Sequence, residues 1–240
     1  MFSFKDQRVL ILAPHPDDEV LGCGGLIHRC KQEGGKVYVL FLTVGETRDF
    51  SAKGVSTASE RIAEIEEVAA FLGYDGYRIA FPGNAYHLKL DALPQKTLID
   101  AIERGPEISL QALEPTIVAL PLPHDYNQDH RAACFAMMTA TRPSPPKYRS
   151  LQRLVLQYEL PSNTWTDQSA IAVPNCFVEL SQEDLDAKLQ AFQCYKSQLK
   201  DPDVPLSVSG MATLAQMRGF NAGCRYAEGF VAKRVLISLP

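Results

Sequence analysis

Four side chains able to bind a metal or move a proton fall within one short string, APHPDDE: His15, Asp17, Asp18 and Glu19. Carboxylates this close repel one another, and each is costly to bury without a counter-charge. A second group lies far downstream in PLPHDYNQDHRAA, which holds His124, Asp125, Asn127, Asp129 and His130. His15 and Asp18 form a short ligand pair, and His130 supplies a third ligand from the second group. Two imidazoles and one carboxylate with an open fourth position compose a catalytic zinc site. A magnesium site of hard oxygen ligands has no need of two imidazoles. Each group also has a plain structural reading. Asp17 or Asp18 would cap a helix opening at Glu19, and Asp129 would cap the helix that follows it. The choice depends on whether the fold delivers both groups to one place.

The surrounding pattern says that it does. Residues 8–13 and 116–120 are apolar runs of the kind found in parallel strands buried on both faces. Further strands are expected at 36–43, 77–81, 151–160 and 176–180. Helices are expected from 19 to about 33, at 59–72, from 93 to about 113 with a break near Gly105-Pro106, and from 129 to about 141. A capping-box pattern, Ser181-x-x-Asp184, opens another helix over 181–199. A last helix covers 211–219. Residues 45–57 and the string KDPDVPLSVSG read as loops, and both are expected at the rim of a pocket. The alternation predicts an α/β, Rossmann-like fold: a mostly parallel sheet with helices on both faces, plus a smaller C-terminal portion. In such sheets ligands bind beyond the carboxyl ends of the strands. Both polar groups directly follow a strand, which favours a shared metal over two unrelated caps.

Composition removes other classes. The 240 residues, 46% hydrophobic, suit one domain spanning 1–240. A net charge of −4 without a basic run gives no nucleic-acid footprint. No apolar window approaches the roughly 18 residues of a membrane span, and the N-terminus lacks the pattern of a signal peptide. A cytoplasmic protein with reduced thiols is expected, its six cysteines serving mainly as small core residues. Cys23 is the one placed near the polar turn. The GCGG string at 22–25 is not a dinucleotide loop. The carboxylates standing where a pyrophosphate would sit repel it, and the glycines are better explained by close packing of the first helix on the sheet.

The motifs APHPDDEVLGCGG and NQDHRAA together resemble the LmbE-like (PIG-L) zinc-dependent N-acetylglucosaminyl deacetylases. TVGETR, RIAEIEEVAAFLG, FPGN and AEGF extend the likeness along the chain. The resemblance implies a Rossmann-like fold, Zn2+ held by His15, Asp18 and His130, and Asp17 as general base. It implies hydrolysis of an N-acetyl group on an amino sugar or its conjugate; another amide, or a silent carbohydrate-binding relative, is the alternative. Asp129 is read either as a partner orienting a ligand imidazole or as a helix cap. Many family members read H-P-D-H where this chain has Asn127-Gln128-Asp129-His130. Asn127 can donate to an oxyanion but cannot protonate a leaving amine, so Asp17 has both proton transfers to perform. His124 and Asp125 are read as surface residues ahead of entry into the site. Arg61, Arg48 and Asn84 are candidate substrate contacts. Arg61 has an alternative as a surface partner of Glu64, worth roughly a few tenths of a kcal/mol. Trp165 is a candidate sugar-stacking ring. An amino-sugar substrate is the expected partner, and the family's frequent self-association makes a homo-oligomer an expectation.

Overall fold

In the computed structural model, residues 2–48, 54–162 and 173–237 are described. Seven strands form one sheet: β1 (Arg8–Ala13), β2 (Lys36–Val44), β5 (Gly76–Pro82), β6 (Ile117–Pro121), β7 (Leu154–Tyr158), β8 (Cys176–Leu180) and β9 (Tyr226–Val235). Two short strands, β3 (Thr47–Arg48) and β4 (Val55–Ser56), pair separately. The order across the sheet is β5-β2-β1-β6-β7-β9-β8. Strands β5 to β7 in that order are mutually parallel, and β9 runs antiparallel to both β7 and β8.

Alternation along β1 explains the layers. Val9, Ile11 and Ala13 enter one apolar cluster, and Leu10 and Leu12 enter the other. The first cluster lies beneath α1 (Asp18–Gln32), α2 (Ala58–Leu72), α6 (Gln182–Cys194) and α7 (Val208–Ala222). The second lies beneath α3 (Gln95–Arg104), the short α4 (Leu110–Leu113) and α5 (Gln128–Ala140). A strand flanked by apolar layers on both sides must be apolar throughout, which is why β1 shows no polar residue after Arg8.

The strand order turns at β1. Its neighbours are β2 on one side and β6 on the other, so the segments leaving β1 and β6 diverge to opposite faces and open a crevice. Both polar groups begin at this crevice.

Three expectations need correction. The last helix is α7, as expected, but no strand was expected beyond it, and β9 follows as an antiparallel strand inside the same sheet. Residues 45–57 are not wholly loop, since Thr47–Arg48 pairs with Val55–Ser56. The helix expected over 181–199 ends at Cys194 and continues only as a single 3-10 turn, Lys196–Gln198. The Ser181–Asp184 capping box is present, with Ser181 Oγ accepting from the Asp184 N–H and Asp184 accepting from the Ser181 N–H.

Candidate metal centre

His15 stands on the turn after β1, Asp18 is the first residue of α1, and His130 lies in the first turn of α5. All are buried. His15 Nδ1 is 3.4 Å from Asp18 Oδ2. His130 Nε2 is 3.2 Å from that oxygen and 3.3 Å from His15 Nδ1. Ligands about 2.0–2.1 Å from a tetrahedral cation are about 3.3–3.4 Å from one another. The three atoms therefore form one face of such a tetrahedron.

The outer nitrogens explain why these atoms are the ligands. His15 Nε2 donates to Asp129 Oδ2 at 3.0 Å, and His130 Nδ1 donates to Asp125 Oδ2 at 3.0 Å. With those protons placed, the inner nitrogens present lone pairs, and Asp18 Oδ2 adds a third. Three converging lone pairs repel unless a cation stands between them. Without one, protons take its place: His130 is pushed up to about 10 and His15 is also raised, because the neighbouring carboxylates outweigh burial. The Asp18 carboxyl is held well below its usual range by His130 and His15 against the opposing effect of burial. The donor set fits a divalent cation.

None of the three aspartates proposed as caps performs that role. Asp17 occupies the cap position of α1 but its side chain makes no cap hydrogen bond, while Asp18 Oδ2 accepts from the His15 N–H at 2.8 Å. In α5 the cap is Asn127, whose Oδ1 accepts from the Asp129 N–H at 2.9 Å. Asp129 is fully buried between His15 and the Leu90 N–H, from which its Oδ1 accepts at 2.9 Å.

Asp17 borders the triad without belonging to it. Burial and the adjacent Asp18 charge push its carboxyl up to about 7, although Arg61, His15 and Lys200 pull the other way. Its backbone has φ of 103°, a region that side chains other than glycine rarely enter.

A cavity of about 210 Å³ opens above these groups, lined by Asp17, Asn127, Arg48 and Arg61 among others. The two loops expected at the rim contribute Thr47, Arg48, Lys200 and Leu206 to it. Residues 49–53, and Trp165 within 163–172, fall outside the described residues.

Placement changes several assignments. Asp125 is buried against His130, not on the surface. His124, by contrast, is exposed as expected and is not among the residues lining the cavity. Asn84 does not line the cavity either; it accepts from the Glu46 N–H and donates to the Glu46 carboxylate, fixing the loop after β2. Arg61 is not the surface partner of Glu64. It is buried, whereas Glu64 accepts from Ser197 N–H and Oγ–H, each at 2.7 Å. Cys23 is packed in the core.

Reading the sequence missed His87. It is buried in the turn after β5, lines the cavity, and meets the His15 ring edge-on at 5.2 Å. Its Nε2 is 2.7 Å from Thr47 Oγ1, and its Nδ1 has no hydrogen-bond partner among the described residues. Burial, helped by the charges of His15 and Arg61, lowers this imidazole to about 4, so it is neutral. Its one sequence signal was its place after a third parallel strand, at the same rim.

The profile of the GlcNAc-PI de-N-acetylase (PIG-L) family matches residues 10–141, a segment that begins in β1 and carries all three ligands. The chain belongs to this family. Among PIG-L relatives, diacetylchitobiose deacetylase from Thermococcus kodakarensis is 28% identical over 232 residues, 94% of this chain and 83% of that protein. The conserved protein TT1542 from Thermus thermophilus superposes with a TM-score of 0.71 at 27% identity, covering 98% of both chains. GalB, the 4-carboxy-2-hydroxymuconate hydratase of Pseudomonas putida, gives 0.72 at 21% identity over 98% of this chain and 100% of that one. At that identity the likeness shows the fold alone. The PIG-L membership, together with the His-Asp-His triad, supports a metal-dependent amidohydrolase.

Proposed function

We propose that the protein is a zinc-dependent N-deacetylase acting on an N-acetylated amino sugar or a conjugate of one, releasing acetate and a free amine. The observation that carries this reading is a partly buried, non-ligating carboxylate, Asp17, at the cavity wall beside three lone pairs converging on one point. Its carboxylate is 4.0 Å from Arg61 Nη2 and outside the ligand set, so it is placed to exchange a proton and not to hold the cation.

His15, Asp18 and His130 would hold the Zn2+. When bound, it supplies Lewis-acid polarisation of the amide carbonyl and greater acidity to water. Asp17 takes a proton from the water whose oxygen attacks the carbonyl carbon. As the C–N bond breaks, Asp17 returns that proton to the leaving nitrogen. Burial and the adjacent Asp18 charge raise this carboxyl above the ordinary carboxylate range, which makes it a readier proton acceptor than a free carboxylate. Asn127 has Oδ1 committed to the α5 cap, which leaves Nδ2 as the end able to donate to the developing oxyanion. Asp129 and Asp125 hold the ligand imidazoles in their metal-binding tautomers. Arg48, exposed at the cavity wall, is the proposed sugar or conjugate contact.

The seven-stranded sheet draws strands from both halves of the chain, which supports treating 1–240 as one domain. No helix among the described residues is long and apolar enough to cross a membrane. The cytoplasmic location is part of the proposal and is tested by cell fractionation.

Elemental analysis and acetate release from N-acetylglucosamine and its conjugates test the central reading. About one zinc per chain with acetate release is expected. Stoichiometric zinc with cleavage confined to non-sugar amides would overturn the substrate. Asp17→Asn is expected to retain zinc and lose about 10²–10⁴-fold in turnover. Near-normal rates in that variant would remove Asp17 from the reaction.

A further inference from the structure

Asp17 poses a question that its proposed chemistry does not answer. Its φ of 103° and ψ of −30° lie outside the regions open to residues with a Cβ. Such strain persists only where surrounding contacts over-determine the backbone. The contacts here converge on one peptide group. The Pro16 carbonyl accepts from Arg61 Nη2 at 2.6 Å, and the Asp17 N–H donates to Glu19 Oε2 at 3.1 Å. Those two polar atoms belong to the same peptide plane. One is gripped from α2 and the other from α1. On the far side of the residue, the Asp17 carbonyl accepts from the N–H groups of Val20 and Leu21 at 3.1 and 2.9 Å. With both flanking peptides held, φ has no freedom.

The grip itself is braced. Glu19 is fully buried and its other oxygen accepts from Tyr195 Oη at 2.5 Å and Tyr74 Oη at 3.1 Å. Tyr74 directly follows the Gly73 cap of α2, and Tyr195 ends α6. Arg61 is 2% exposed, and its Nη1 reaches Thr47 Oγ1 at 3.4 Å. Three helices thus bear on one turn.

We infer that Glu19 and Arg61 clamp the Pro16–Asp17 peptide from opposite sides and thereby hold Asp17 in its strained conformation beside the metal ligands. Both are positioning residues. If the clamp is released, the peptide rotates, Asp17 relaxes to an ordinary φ, and its carboxylate leaves the place from which it serves the reaction. His15 and Asp18 flank Asp17 and are tied to each other by the His15 N–H to Asp18 Oδ2 bond, so zinc content reports whether the ligands keep their places when the clamp is released. The inference rests on Asp17 as the working base, and two measurements separate its failure from failure of that reading.

The first uses activity. Glu19→Leu is expected to keep its zinc and its KM within about twofold while kcat falls at least about tenfold, because only the reacting geometry is lost. Glu19→Gln, which still offers an oxygen to the Asp17 N–H, is expected to recover most of the rate. A Glu19→Leu enzyme with unchanged kcat, or a Gln variant no better than Leu, overturns the clamp.

The second uses no substrate. In the otherwise wild-type, metal-free protein, Asp17→Gly is expected to melt several degrees above Asp17→Ala. Both remove the carboxylate, but only glycine accepts the positive φ. In the Glu19→Leu background the gap is expected to shrink by at least about half, because the relaxed backbone no longer penalises a Cβ. No gap in the Glu19-intact protein, or an equal gap in both backgrounds, refutes the clamp whatever the enzyme hydrolyses. Should Glu19→Leu fail to fold, Arg61→Leu, which frees the Pro16 carbonyl, supplies the second background, and an equal Gly–Ala gap there refutes the clamp.

Discussion

At the scale of the residue, the carboxylates behind the ligands set the chemistry as firmly as the ligands. Asp125 and Asp129 each fix one imidazole by its outer nitrogen. Replacing either with asparagine is expected to lower zinc affinity about 10–100-fold without unfolding the protein, measured by competition against a chromophoric chelator. A pH effect follows from the same geometry. In the metal-free protein His130 is held protonated up to about 10 and His15 is also raised. A cation entering near neutral pH must displace those protons. Metal uptake is therefore expected to release about one to two protons, and affinity to weaken as pH falls. Calorimetry in buffers of differing ionisation enthalpy measures that release, and a pH-independent affinity would contradict the assignment. The ligands themselves were legible, because each directly follows an apolar strand and both strands end at one rim. Asp125 was undervalued because nothing in its local string separates a buried partner from a loop carboxylate. His87 and the grip on Asp17 were illegible, since they depend on contacts between turns distant in sequence.

At the scale of the element, α1 is the piece on which the centre depends. A helix opening directly under a metal site must lie close to the sheet, and its glycines permit this. A Cβ on Gly22 would stand 2.3 Å from Tyr158 Cδ2, and one on Gly25 would stand 2.6 Å from Leu180 Cδ1. Tyr158 cannot easily yield, because its hydroxyl donates to the Leu12 carbonyl at 2.9 Å. Gly22→Ala, favourable by helix propensity, is thus expected to destabilise the fold by about 1–3 kcal/mol through overpacking, read from denaturant midpoints. The glycines of the GCGG string were correctly read as packing residues from their place in a helical pattern. Strand β9 was missed for a physical reason: Glu228 and Gly229 interrupt its apolar alternation, a feature that normally marks a loop.

At the scale of the whole molecule, Glu228 ties the two ends of the chain together. One oxygen accepts from the Gly25 N–H at 2.9 Å and from Lys188 Nζ at 2.6 Å, and the other from the Leu26 N–H at 2.8 Å. Lys188 Nζ also donates to the Leu21 carbonyl at 2.9 Å. All of this is buried. Removing one partner of such a pair strands the other, so Glu228→Gln is expected to cost about 3–5 kcal/mol. For a chain of this size that lowers the melting temperature by about 6–20 °C. A shift under about two degrees would show the pair to be dispensable.

That pairing also imposes an order in time. During synthesis His15, Asp18 and His130 leave the ribosome well before Glu228, which is separated from Gly25 by 203 residues. A nascent chain stopped short of Tyr226 carries every ligand, yet the middle of its first helix still lacks the carboxylate that receives Lys188 and two backbone N–H groups. The packing of the first helix is on this account completed late, once β9 has been made.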